Sequence, residues 1–168
     1  MTVNIHERLL PAPPEEVGEL IDSLSSDADR LWPSARWPPM RFDAPLGVGA
    51  RGGHGPIRYS VVRYEPGRSA AFRFEPSLRV IGEHRLETER AEGGTLVRHV
   101  IVARMRGRMA LLWPLAVRWL HDALIEDCFD RAHAQLTGAR WTPRPLGRWV
   151  RLLRRLSQVR SRSWRSTK

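Results

Sequence analysis

The chain has 168 residues, 42% of them apolar and 27% charged, which suits one globular domain with a single core and not a disordered or membrane-spanning chain. Its one cysteine, Cys128, excludes an internal disulfide and any multi-cysteine zinc site, and it fits a reducing compartment, so the cytoplasm is the expected location. The net charge of +10 sits at one end: arginines and acids balance up to Gly138, and the segment from Ala139 onward carries the whole excess without a single acid. A basic tail, not a basic domain, is what the charge describes.

Met1 to Arg8 alternates polar and apolar residues and lacks the charged head and apolar core of a secretory signal. Val3, Ile5 and the run to Leu10 predict a first strand, closed by Pro11. Ala12-Pro13-Pro14-Glu15-Glu16 then offers prolines and acids where a helix begins. Val17, Leu20, Ile21 and Leu24 form one stripe on that helix, and Ser26-Asp27 is placed to cap a second short helix running toward Trp32. From Pro33 to Pro56 the proline and glycine content predicts a long loop with one short strand around Leu46 to Ala50. Ile57 to Tyr64 reads as a strand and Glu65-Pro66-Gly67-Arg68 as a turn, with Ala70, Phe72 and Phe74 as the buried face of the returning strand.

Val80–Glu89 and Leu96–Arg106 form a second hairpin joined by Ala91-Glu92-Gly93-Gly94. After Gly107 the period becomes helical. Val117, Leu120, His121, Leu124, Cys128, Ala132 and Leu136 share one face, Gly138 is placed to end the helix, and Pro114 lies in its first turns or kinks it. The apolar run Met109 to Leu120 falls short of the ~20 residues that span a bilayer. The order predicts an α+β domain over residues 1–138, in which a curved antiparallel sheet of six or seven strands is covered by the long last helix. Residues 139–168 form a tail.

Pro13-Pro14-Glu15-Glu16-Val17 after the first strand, Tyr64-Glu65-Pro66-Gly67-Arg68 at a hairpin turn, and the long last helix together resemble the START-like (SRPBCC) superfamily of polyketide cyclases, aromatases and lipid carriers. The resemblance covers roughly residues 2–138. It implies a helix-grip fold with two short helices after the first strand. It also implies an internal cavity for a small apolar ligand such as a lipid, quinone or polyketide, held by a carrier, a sensor or a cyclase.

If Arg90 pairs with Thr95, Leu86 faces His99 and His84 faces Ile101, so both histidines lie on one sheet face with Met105, turned toward the last helix and His121. His84, His99 and His121 are therefore candidates for binding a carbonyl or for acid–base work in a metal-free cyclase or dehydratase, against the competing reading that they satisfy neighbouring polar groups in a core. No metal is expected. The spacing of the three matches no compact ligand motif, no placed carboxylate completes a triad, and no cofactor motif is present.

Trp32, Trp37, Met40 and Phe42 belong to the segment that runs by the cavity mouth, with His54 an entrance candidate and Phe72 and Phe74 the floor. Val117 and Leu124 complete the expected lining. Tyr59 supplies a phenol if its face is the inner one; Ile57-Tyr59-Val61 and Ser60-Val62-Tyr64 both fit as inner sets. Gly47-Val48-Gly49-Ala50-Arg51-Gly52 spells a dinucleotide fingerprint, but Pro56 and a β-like run follow where a helix is required, so the glycines are assigned to a mobile hairpin connection. Asp122, Glu126, Asp127 and Asp130 read as a solvated acidic face, with Asp127 paired to Arg131. Cys128 lies in the buried stripe and lacks the electropositive setting of a nucleophile.

In the tail, Leu146, Trp149, Val150, Leu153 and Leu156 make an apolar stripe opposite Arg148, Arg151, Arg154 and Arg155, a basic amphipathic helix over about 145–156 with a disordered end beyond it. It suits docking on the domain, contact with an anionic membrane or, last, nucleic acid.

Overall fold

In the computed structural model the backbone is described for residues 1–165 and the side chains for residues 1–157. Strand β1 (Thr2–Leu10) leads through Pro11 into helix α1 (Pro14–Asp22), whose first turn carries Glu15 and Glu16 and whose inner face buries Val17, Leu20 and Ile21. The second short helix expected from Ser26 does not form. Asp29 instead accepts hydrogen bonds from the backbone N–H groups of Ser25, Leu31 and Trp32, so its carboxylate organises a compact turn.

Strands β2 (Met40–Phe42), β3 (Arg51–His54), β4 (Ile57–Glu65), β5 (Ser69–Phe74), β6 (Val80–Ala91) and β7 (Gly94–Met105) follow. With β1 they form one antiparallel sheet of 7 strands, ordered β1-β7-β6-β5-β4-β3-β2. The short strand expected at Leu46–Ala50 lies later, at Arg51–His54. Gly52 and Gly53 are part of it, not of a mobile connection, because a Cβ on Gly52 would meet Arg41 O at 1.9 Å and one on Gly53 would meet Ile57 O at 1.9 Å. The β6–β7 register is the expected one, with Arg90 opposite Thr95, Leu86 opposite His99 and His84 opposite Ile101.

A bulge between Val61 and Arg63 resolves the two inner sets of β4. Tyr59 and Val61 face inward, and after the extra residue Tyr64 returns to the same side to hydrogen-bond Asp22.

The sheet closes on a helical rod made of α2 (Arg108–Leu112), a π-helical turn (Trp113–Val117) and α3 (Arg118–Thr137), ended by Gly138 in the left-handed conformation. The π turn contains Pro114, whose missing N–H breaks the regular ladder there. This is the helix-grip arrangement: a curved sheet wrapped around one long helix. Helix α4 (Arg148–Arg165) starts later and runs further than expected, so the disordered end assigned beyond Leu156 is helical in backbone to Arg165, and residues 166–168 lie outside the described residues. Among the described residues no helix is long and apolar enough to cross a membrane.

Candidate functional site

Between sheet and rod lies a cavity of about 450 Å³. Its lining comes from the alternate inner positions of β4 to β7: Tyr59, Phe72, Phe74, His84, Leu86, His99, Ile101 and Met105. Val117, His121 and Leu124 close it from the rod, and Trp32, Trp37, Met40 and His54 from the segment at its mouth. Phe42 is the exception among the expected residues: it stacks on Phe72 at 6.0 Å, behind the wall. Trp113, Met109, Val80 and Leu78 also line it; they come from the start of the rod and from the entry to β6, where no local period marks an inner face.

The polar atoms of the cavity form a chain of rings. His84 sits between Tyr59, Phe72 and Phe74 at centroid distances of 4.7, 4.8 and 4.9 Å, and its Nδ1 lies 3.3 Å from His99 Nε2. His99 in turn packs on His121 at 4.9 Å. Among the described residues, four buried atoms here have no hydrogen-bond partner: Tyr59 Oη, His84 Nε2, His99 Nδ1 and His121 Nε2. Burial first, and then the neighbouring histidines, hold His84 and His99 well below the ordinary imidazole value, so both are neutral at pH 7. His54 is lowered to about 3 by burial, and burial raises the Tyr59 phenol above its usual range.

On the other side of His121 is a polar seam. The inner face of β1 presents Asn4, His6 and Arg8, and α3 answers with Asp122, Glu126 and Asp130. Asn4 donates to Asp122 at 3.1 Å, His6 lies 3.0 Å from Asp122 and 2.9 Å from Glu126, and Arg8 donates to Glu126 at 2.6 Å and to Asp130 at 2.8 Å. The ladder matches because two residues of strand rise about 6.7 Å and four residues of helix about 6 Å.

The face expected to be solvated is therefore a partner surface. Burial disfavours the His6 imidazolium, but its hydrogen bonds to Asp122 and Glu126 outweigh that and raise its pKa. Burial likewise works against Asp122, yet the bonds from His121, His6 and Asn4 hold its carboxyl well below the usual range.

Asp127 is not paired with Arg131. It is buried and accepts from Trp37 Nε1 at 2.6 Å and from Arg36 at 3.0 Å, while Arg131 donates to the carbonyls of Asp29 and Trp32. The Asp127–Trp37–Arg36 anchor has no sequence motif, since its members lie about 90 positions apart. Cys128 is buried and its thiol pushed up, which leaves it inert.

Helix α4 seals one side of this region. Arg154, expected on the outer face, turns inward over the Trp37 ring at 4.7 Å and donates to Arg36 O at 2.6 Å. Val150 is buried and Leu146 packs on the core. Trp149 and Leu156, expected within the docking stripe, are 46% and 55% exposed.

Sheet and rod thus define a helix-grip protein with an internal cavity. No family model matches the chain, and no curated protein does. Solved structures do resemble it: Ara h 8.0201 with a TM-score of 0.59 at 13% identity, covering 82% of this chain and 98% of that one. CalU16 from Micromonospora echinospora has a TM-score of 0.56 at 19% identity, covering 98% of this chain and 86% of that one. Protein MLL2253 from Mesorhizobium loti has a TM-score of 0.56 at 16% identity, covering 82% and 97%. At these identities the likeness is one of fold.

Proposed function

We propose that the domain holds one small, largely apolar molecule bearing a hydroxyl or carbonyl, as a carrier or sensor of lipid-, quinone- or polyketide-like compounds. The observation that carries this reading is the set of four unpartnered polar atoms gathered in one largely apolar cavity. A bare buried donor or acceptor costs about 1–3 kcal/mol, so a ligand whose polar end pairs with them recovers that cost while its body fills the apolar wall. The volume suits such a guest, since small-molecule sites run from about 300 to 1,000 Å³.

The test is to extract the purified protein with organic solvent and identify by mass spectrometry what comes with it. A stoichiometric apolar compound supports the reading, and its loss from Leu124→Trp, which fills the cavity, places it there. A native protein that carries nothing and does not enhance anilinonaphthalene sulfonate fluorescence over the Leu124→Trp variant sinks it.

One feature favours an enzyme of cyclase or dehydratase type as a second reading. Whichever imidazole donates across the 3.3 Å His84–His99 contact, the pair is left with one free donor and one free acceptor, so it presents an acid and a base at once. A carrier keeps most of its affinity in His84→Gln and His99→Asn, whereas an enzyme binds in these variants but loses turnover.

The tail adds a proposed partner, the surface of an anionic membrane. Trp149, Leu152 and Leu156 of α4 and Leu111, Leu112, Leu115 and Trp119 of the rod are exposed, Trp149 Nε1 donates to Leu115 O at 3.0 Å, and Arg148, Arg151 and Arg155 are exposed on α4. Tryptophans at headgroup level and arginines on phosphates are the chemistry of such a contact.

A further inference from the structure

We propose that His6, His121 and Asp122 form a binding site for a divalent transition-metal ion of the zinc class, a clasp between the β1 edge and the middle of α3. The proposal is independent of what the cavity holds. One ligating atom from each of the three residues lies within 4.8 Å of the others. His6 Nε2 is 3.0 Å and His121 Nδ1 is 3.4 Å from the same carboxylate oxygen, Asp122 Oδ1. An ion about 2.0–2.1 Å from each of its ligands holds them roughly 2.9–3.4 Å apart, so each histidine nitrogen already stands at coordination spacing from the carboxylate oxygen.

The surroundings point the same way. The other nitrogen of His6, Nδ1, lies 2.9 Å from Glu126 Oε1, the carboxylate–histidine arrangement that orients a metal-binding imidazole and strengthens it as a ligand. A metal ion at this point takes the place of the proton that otherwise bridges His6 Nε2 and Asp122 Oδ1 across 3.0 Å, while Nδ1 keeps its bond to Glu126. Asn4 supplies a further donor. Its amide touches Asp122 Oδ1 at 3.1 Å while its own Oδ1 is buried without a partner, and turning the amide over brings that oxygen to the site. The side chains are only 12%, 15% and 27% exposed for His6, His121 and Asp122, and each is held by a regular element.

Two imidazoles with one carboxylate favour zinc, cobalt or nickel over magnesium or calcium, which prefer oxygen throughout. The residues come from opposite ends of the domain, so no sequence spacing announces them.

The experiment uses the full chain, stripped with a chelator, then titrated calorimetrically with Zn²⁺ and by visible absorption with Co²⁺. The expected result is one equivalent bound, with Co²⁺ bands of a low-coordinate nitrogen–oxygen site and a rise in melting temperature on adding Zn²⁺. His121→Gln and Asp122→Asn abolish this, and Glu126→Gln, which keeps every ligand and guards against a variant that fails to fold, weakens it about tenfold or more. His133→Gln, at an exposed histidine elsewhere on α3, leaves it unchanged. Absence of stoichiometric binding by the native chain, binding retained in folded His121→Gln and Asp122→Asn, or equal loss in His133→Gln overturns the proposal.

Discussion

A single carboxylate, Asp127, ties together three parts of the chain that share no local structure. It is buried on α3, bonded to the Trp37 indole and the Arg36 guanidinium, and Arg36 and Trp37 in turn receive Arg154 of α4. Removing one partner of such a group leaves the others buried without compensation, so Asp127→Ala is expected to lower unfolding free energy by about 3 kcal/mol or more, measured by urea denaturation. Asp127→Asn, which keeps an acceptor for the indole, costs less. Equal stability of native protein and Asp127→Ala would remove the anchor from the account.

His84 makes a different residue-scale prediction. Its folded-state pKa lies well below 6.5 because burial excludes the imidazolium, and the rings facing it, Tyr59, Phe72, Phe74 and His99, include no carboxylate to compensate. Above pH 6.5 neither folded nor unfolded chain protonates it, and it contributes no pH dependence. As pH falls below 6.5 the unfolded chain takes up the proton and the folded one does not, so stability is lost on acidification, at up to about 1.4 kcal/mol per pH unit. His84→Gln should flatten the stability profile between pH 6 and pH 5 by about that amount; an unchanged slope means the imidazole is protonated in place.

At the scale of elements, the tail is part of the fold. Val150 is buried, Leu146 packs on the core and Arg154 covers Trp37, so truncation after Gly138 uncovers an apolar footprint on the domain. Losing two such apolar contacts and the guanidinium cover is expected to cost about 2 kcal/mol or more, which for a chain of this size is a fall of roughly 4–8 °C in melting temperature. A scanning calorimetry trace identical to that of the full chain would return the tail to a free appendage.

The elements differ in how legible they were, for physical reasons. The β6–β7 hairpin and the α3 stripe were readable because alternation and the helical period are local, and both follow from residues a few positions apart. The second helix after β1 was misread because Ser26-Asp27 carries a cap signal that the turn around Asp29 outcompetes. The β1–α3 seam was misread because polar residues at strand and helix spacing look like solvated faces until the two are brought together. Its partners lie more than 110 positions apart along the chain. The cavity face of β6 and β7 was legible as a face; that its histidines would lack partners was not, since a missing partner is a property of packing alone.

The whole molecule is strongly asymmetric in charge, and the basic tail meets exposed apolar residues of the rod where Trp149 bonds to Leu115. The domain through Gly138 is neutral and the tail holds the excess of +10. On the rod Leu111 is 69%, Leu115 61% and Trp119 49% exposed, and on the tail Trp149, bonded to Leu115, is 46% exposed. A patch of leucines and tryptophans gathered beside exposed arginines is costly in water and suited to a bilayer surface.

The prediction is that the full chain co-sediments with vesicles of mixed phosphatidylcholine and phosphatidylglycerol and not with phosphatidylcholine alone. Each arginine near the surface contributes about 1 kcal/mol at low salt, so binding should weaken steeply as salt is raised. Trp119→Ala with Trp149→Ala should reduce it further at fixed salt, because the indoles act through burial and not through charge. Binding that ignores lipid charge would mean that the arginines play no part, and binding that survives loss of both tryptophans would mean that the arginines act alone; either result overturns the joint contact. Because Arg154 and Ser157 of α4 line the cavity, a membrane that draws on α4 also pulls at one wall of the cavity. Docking at that end would then couple the bilayer, where apolar ligands partition, to the site that receives them.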